Sequence, residues 1–199
     1  MKIILATSNK HKIVEIQSIL QGFTLCALDS VIEPFAIEEN GTSFRENALI
    51  KARAVFEALR DEEAVVLSDD SGLCVDALGG EPGIYAARYS SQKTDAANRA
   101  KLMAELKKRG LEESGAHYVC AVALRSKWGN FSAEARMYGR VLCRELGEKG
   151  FGYDSLFVPL GLEKTLAQLD AAEKNRLSHR FKALNLAKIM LNILKKVGK

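Results

Sequence analysis

The stretch "SDDSGLCVDALGGEPGIYAARYS", beginning at Ser68, sets two adjacent aspartates beside Ser-Gly, Gly-Gly and Pro-Gly turn pairs, directly after the apolar "AVVL". Side chains alternate along a strand, so Asp69 and Asp70 at its end should point differently, one toward a site and the other into support for a turn. Two more carboxylates, Glu38 and Glu39, stand in a loop just before a helix. Hard oxygen ligands of this kind suit Mg²⁺, which takes one or two carboxylates and completes its shell with water and phosphate oxygens. The plainer alternative makes Asp70 a turn former with Ser71 and Gly72. Ser71 is no hydrolase nucleophile: "DDSGL" lacks the G-x-S-x-G elbow, and no histidine stands at a usable spacing.

Four further groups could bind an anion or a base. "TSNKHK" joins a strand-like run to a helix, where unpaired N–H groups and the helix dipole favour negative charge. Asn9 can donate a hydrogen bond there, and Lys10 and Lys12 can supply charge; the spacing is not that of a Walker loop. "NALIK" puts Asn47 and Lys51 at i and i+4, hence on one helical face. "FGYD" places Phe151 and Tyr153 in a loop, where a ring can stack on a base, and "SHR" places His179 and Arg180 near a helix start as donors. Each group also has a plain structural reading as core, cap or solvated surface, and none decides the matter alone.

The elements that must position these residues follow from periodicity. "KIILA" is a buried strand, and "KIVEIQSIL" an amphipathic helix with Ile13, Ile16, Ile19 and Leu20 on one side. "TLCAL" is a short strand, and "SVIEPFAIEENGT" a loop. Ser43 and Glu46 have the spacing of a capping box for a helix ending near Leu59. "AVVLS" is a buried strand ending at the aspartates. A helix from about Thr94 is closed by Gly110. "AHYVCAVALRS" and "NFSAEARMYGRVL" are long strands joined at "KWGN", and "GEKGFGYDSLFVP" is a glycine-rich loop entering a short strand. Leu177, Phe181, Leu184, Leu191 and Leu194 recur at helical spacing near the end. Strand–helix alternation, then a hairpin, then helices make an α/β protein with a mixed sheet.

At 199 residues the chain is one domain, or one domain in two lobes. No apolar run approaches the roughly 18–20 residues of a membrane span, and "MKIILATSNK" is not flanked like a signal peptide, so the expected compartment is the cytoplasm. The four cysteines form no C-x-x-C pair and the three histidines no zinc spacing, so reduced thiols are expected. The net charge of +4 suits an anionic small molecule; its clusters "ELKKRG" and "ILKKVGK" sit at helix ends, where cations complement the dipole. No recognition-helix, RRM or zinc-finger pattern supports nucleic-acid binding.

Taken in order, "TSNKHK", "SFRENALIKA", the block at Ser68, "GFGYDSLF" and "EKNRLSHR" span nearly the whole chain and resemble the inosine triphosphate pyrophosphatase family. "SSQKTDAANRAKLMAEL" resembles its lid-side helix less specifically. The resemblance implies a mixed, twisted α/β sheet with flanking helices, in two lobes around a deep substrate cleft, and a homodimer. It implies Mg²⁺-dependent cleavage of non-standard purine triphosphates (ITP, dITP, XTP) to a monophosphate and pyrophosphate. The family's phosphate loop falls on Thr7, Ser8, Asn9, Lys10, His11 and Lys12, and its metal carboxylates on Glu38 and Asp70, with Asp70 also the proton acceptor. Glu39 is adjacent and the loop could slip by one. Substrate contacts fall on Lys51, Ser71, Phe151, Gly152, Tyr153, Asp154, Lys174, His179 and Arg180. His179 and Arg180 would donate to the 6-oxo group that hypoxanthine and xanthine carry and adenine lacks. A related enzyme for pyrimidine or modified triphosphates is the nearest alternative, since the phosphate chemistry would be the same.

Overall fold

The computed structural model describes residues 1–197; Gly198 and Lys199, the end of the second basic cluster, lie outside the described residues. The strands are β1 Lys2–Leu5, β2 Thr24–Ala27, β3 Val65–Val75, β4 Glu113–Ser126, β5 Gly129–Leu142 and β6 Phe157–Pro159. The helices are α1 Lys10–Ile19, α2 Phe44–Leu59, α3 Asp95–Lys108, α4 Ala171–Leu177 and α5 His179–Val197. The six strands form one sheet in the order β2-β1-β3-β4-β5-β6. β1 pairs parallel to β2 and to β3, while β5 pairs antiparallel to β6, so the sheet is mixed as expected. No helix among the described residues is long and apolar enough to cross a membrane.

The chain divides into two compact units. The first comprises Met1–Asp70, Cys120–Ala135 and Arg180–Lys199. Its core joins Ile16, Ile19 and Leu20 of the α1 region to Leu184, Leu191 and Leu194 of α5, around Ile3, Leu5, Val65, Leu67, Val122 and Leu124 of the strands. The second comprises Ser71–Val119 and Arg136–His179. There Leu102 and Leu106 of α3 pack with Leu73, Val75, Tyr118, Val141, Leu156 and Phe157. All four cysteines are free.

Two expectations need correction, and a third is refined. The strand at "AVVLS" does not stop at the aspartates: β3 runs to Val75 and is buried at nearly every position. A ladder covered on both faces outweighs the turn preference of Ser71 and Gly72. Ser43 caps α2 by accepting the Glu46 N–H at 3.2 Å, but the Glu46 carboxylate reaches past it to the Thr42 N–H at 2.6 Å, so the box is shifted by one residue. The last apolar series is two helices, broken at Ser178. Leu177 therefore lies on short α4 and is exposed, while Leu184, Leu191 and Leu194 are buried.

Candidate active site

In the first unit, β1, β3 and α2 bring the sequence's charged motifs together. Ser68 is fully buried and donates to the Ala48 carbonyl at 2.5 Å, which fastens β3 to α2. The two residues that follow then diverge, as strand alternation requires. Asp69 is wholly buried, and its Oδ2 receives Lys12 Nζ at 3.0 Å and Arg180 Nε and Nη2 at 3.3 Å each. Asp70 meets α2: Asn47 Nδ2 donates to its Oδ2 and Lys51 Nζ to its Oδ1, both at 3.3 Å. The i,i+4 face of "NALIK" thus looks onto Asp70, and Asn47, weighed in the sequence only as a partner of Lys51, is a functional candidate in its own right.

The second carboxylate is Glu39. Its Oε2 accepts from Lys51 Nζ at 2.8 Å, so Lys51 bridges Glu39 and Asp70. Glu38, the expected ligand, is exposed to solvent. Asn47 explains the register: its Oδ1 accepts the Gly41 N–H at 2.9 Å and pins the acidic loop one residue further along. Arg180 departs from expectation in a different way. Only 3 % exposed, its guanidinium binds Asp69 and, through Nη1, Glu15 of α1. Its guanidinium is thus held by two carboxylates of the first unit.

The neighbouring aspartates are electrostatically opposite. Burial works against the Asp69 charge, yet Lys12, Arg180 and Lys51 together hold its carboxyl far below the usual range. Burial pushes the Asp70 carboxyl up; Lys51 and Lys12 pull the other way, and Glu39 adds to the rise. Burial also works against the Lys51 charge, but Asp70, Asp69 and Glu39 outweigh it and raise its pKa. The two directions are compatible: Lys51 gains from several carboxylates, whereas Asp70 shares one lysine with a rival acid. Cys120, close by, is pushed up to about 12 by burial and by the Asp69 charge, which favours the neutral thiol.

The phosphate-loop residues split between turn and helix. Thr7 Oγ1 accepts the Asn9 N–H at 3.2 Å. Helix α1 already begins at Lys10, and Asn9 is its N-cap, accepting from the His11 and Lys12 N–H groups at 3.0 and 3.2 Å. Ser8, Lys10 and His11 are exposed at this helix start. Among the described residues no three His, Cys, Asp or Glu side chains form a ready-made metal cage. Two carboxylates held together across a cation nevertheless fit Mg²⁺, which draws its other ligands from water and substrate phosphates. Asp70 and Glu39 are the residues that would hold it.

The second unit gathers the other motifs. Ser71 follows Asp70 in β3 and is half-buried. In the loop at 151–154, buried Asp154 accepts the Phe151 N–H at 3.0 Å and Lys174 Nζ at 2.7 Å. Lys174 also lies 4.5 Å over the Phe151 ring. The Tyr153 hydroxyl donates to the Ala86 carbonyl at 2.8 Å. His179, buried, stacks on Tyr118 with centroids 4.6 Å apart and planes 7° from parallel. Tyr118 lies in the apolar strand "AHYVCAVALRS", where alternation marks it only as core.

A Ham1 family model matches residues 3–189, and the chain belongs to the Ham1 family. The dITP/XTP pyrophosphatase of Campylobacter jejuni subsp. doylei is 59 % identical, covering 98 % of this chain and 100 % of its own length. That of Sulfurimonas denitrificans is 49 % identical with the same coverage. Among solved structures, the Staphylococcus aureus Ham1 protein superposes with a TM-score of 0.84 at 36 % identity, over 96 % of this chain and 98 % of that one.

Proposed function

We propose that this chain is a nucleoside-triphosphate pyrophosphatase for non-standard purine nucleotides, converting dITP, ITP and XTP to the monophosphate and pyrophosphate. Its near-full-length similarity to dITP/XTP pyrophosphatases supports the substrate class. The observation that carries the chemistry is Asp70, oriented by Asn47 and Lys51 beside Glu39. Asp70 is the general base: held at two points by Asn47 and Lys51, it accepts the proton of the attacking water. Asp70 and Glu39, rather than Glu38, would hold Mg²⁺. The chemistry that ion would supply is neutralisation of phosphate charge. Lys12 and the start of α1 serve the phosphates, and Lys51 neutralises charge as it develops. In the second unit, Phe151, Gly152, Tyr153, Asp154, Lys174 and His179 serve the nucleoside, with Ser71 a further contact. A site built to pair with a 6-oxo group leaves its donors unmatched against adenine. The working form is taken as a homodimer, as the resemblance in the sequence implies, in the cytoplasm expected from the sequence's apolar pattern.

Turnover of inosine triphosphate in ¹⁸O-water tests the reaction. Label is expected in the monophosphate, with unlabelled pyrophosphate, because water attacks the α-phosphorus. Label in orthophosphate, with a diphosphate as the other product, defeats the proposal. A substrate panel is expected to rank inosine and xanthosine triphosphates well ahead of ATP.

A further inference from the structure

Helix α3 presents Asp95, Asn98 and Arg99 on one face, at i, i+3 and i+4. Asn98, 2 % exposed, accepts the Ser90 N–H at 2.7 Å and its hydroxyl at 2.8 Å, and donates to the Ala87 carbonyl at 3.2 Å. This fastens the "AARYS" turn to the helix. The other two residues reach the loop at 151–154. Asp95 Oδ2 accepts the Gly152 N–H at 2.7 Å, and Arg99 Nη1 donates to the Gly152 carbonyl at 2.9 Å. Arg99 is itself aimed by Glu145, whose Oε2 accepts its Nε at 2.8 Å and the Ser155 hydroxyl at 2.9 Å.

Both backbone polar groups of Gly152 therefore end on α3, each in a charge-assisted bond of the stronger kind. Gly152 is the point of the loop that Asp154 leaves unheld, since Asp154 ties Phe151 and Lys174 instead. Its φ of +62° is one that glycine alone adopts without strain. The rings of Phe151 and Tyr153 flank it. Arg99, Glu145, Phe151, Gly152 and Asp154 line a common cleft of about 300 Å³, so a shift of Gly152 changes the shape of that cleft.

We propose that Asp95 and Arg99 are positioning residues for substrate recognition, acting by clasping the Gly152 backbone and so fixing the Phe151 ring and the Asp154 carboxylate. The proposal rests on the reading that this loop serves the nucleoside. It assigns to α3 a role beyond that of a covering helix, and it separates recognition from the acid–base chemistry of Asp70.

The experiment combines hydrogen exchange with kinetics on the full chain for Asp95→Ala, Asp95→Asn and Arg99→Ala. Asparagine keeps an acceptor for Gly152 and drops only the charge. In Asp95→Ala, exchange at the Gly152 amide is expected to accelerate at least about tenfold, the order of one charge-assisted hydrogen bond, while Asp95→Asn, which keeps a neutral acceptor, accelerates it less than about threefold. With inosine triphosphate, both alanine variants should raise KM about tenfold and change kcat less than about threefold, because the binding lost is shared equally by ground state and transition state. Unchanged Gly152 exchange in Asp95→Ala, or wild-type KM in both alanine variants, overturns the proposal. So does an Asp95→Asn protein as impaired as Asp95→Ala, which would assign the effect to the charge at the helix start. If the wild type turns over no triphosphate, the functional reading fails by itself, and the exchange data still decide whether the clasp exists.

Discussion

Asp69 and Asp70 are chemically identical neighbours whose surroundings shift their carboxyls in opposite directions, and stability measurements distinguish them. Asp69 carries a depressed pKa, so its contribution to stability is present above the unfolded carboxylate value near 3.9 and is lost as pH falls through its folded value. Asp70 carries a raised one; its ionisation weakens folding, and its contribution is full at low pH and lost as pH rises through its folded value. At pH 7, Asp69→Asn leaves Lys12 and Arg180 short of a buried partner and is expected to cost about 3–5 kcal/mol of unfolding free energy. Asp70→Asn at the same pH should be at least as stable as wild type, since Lys51 keeps Glu39, while turnover falls ~10²–10⁴-fold. Urea titrations beside steady-state rates make the comparison. Equal destabilisation by both changes, or a folded Asp70→Asn protein that turns over normally, would show that the roles are misassigned.

At the scale of elements, local periodicity was informative and long-range partnership was not. The i,i+4 pair Asn47 and Lys51 and the alternation of Asp69 and Asp70 follow from the repeats of helix and strand, and the structure shows both. The loop before α2 has no period, so nothing local distinguished Glu38 from Glu39; the choice is made by Asn47 through the Gly41 N–H. Arg180 is far in sequence from Glu15 and Asp69, and no local pattern reports such a partner. The same holds for Asp95 and Arg99, whose partner Gly152 lies far along the chain. The Gly41 contact yields its own prediction. A Cβ there would lie 2.7 Å from Asn47 Oδ1 and from Glu46 Cβ, so Gly41→Ala must displace the side chain that orients Asp70. The expected loss of stability is about 1–3 kcal/mol, as for other overpacked sites, with turnover lowered although every charged residue remains. Wild-type stability and kcat in Gly41→Ala would mean that Asn47 orients nothing.

For the molecule as a whole, the formal charge of +4 hides a network of the other sign. Glu15, Glu39, Asp69 and Asp70 face Lys12, Lys51 and Arg180, so four carboxylates meet three cations. A residual charge of −1 on this network, with Lys51 already bridging Glu39 and Asp70, offers a divalent ion little attraction by itself. A triphosphate brings the missing negative charge and the missing oxygen ligands, while the cations of the network accept its remaining charge. Metal and nucleotide should therefore bind cooperatively, each weakly alone. Thermal unfolding with Mg²⁺, with an inosine triphosphate analogue bearing a methylene between the α- and β-phosphorus, and with both together reads this without turnover. A ligand at a hundredfold excess over its Kd stabilises by about 2.7 kcal/mol. Stabilisation of that order is expected only with both present, exceeding the sum of the separate effects. EDTA should then abolish turnover and leave the fold intact. Full stabilisation by Mg²⁺ alone would instead mean that the two carboxylates form a complete metal site, with Lys51 displaced before the substrate arrives.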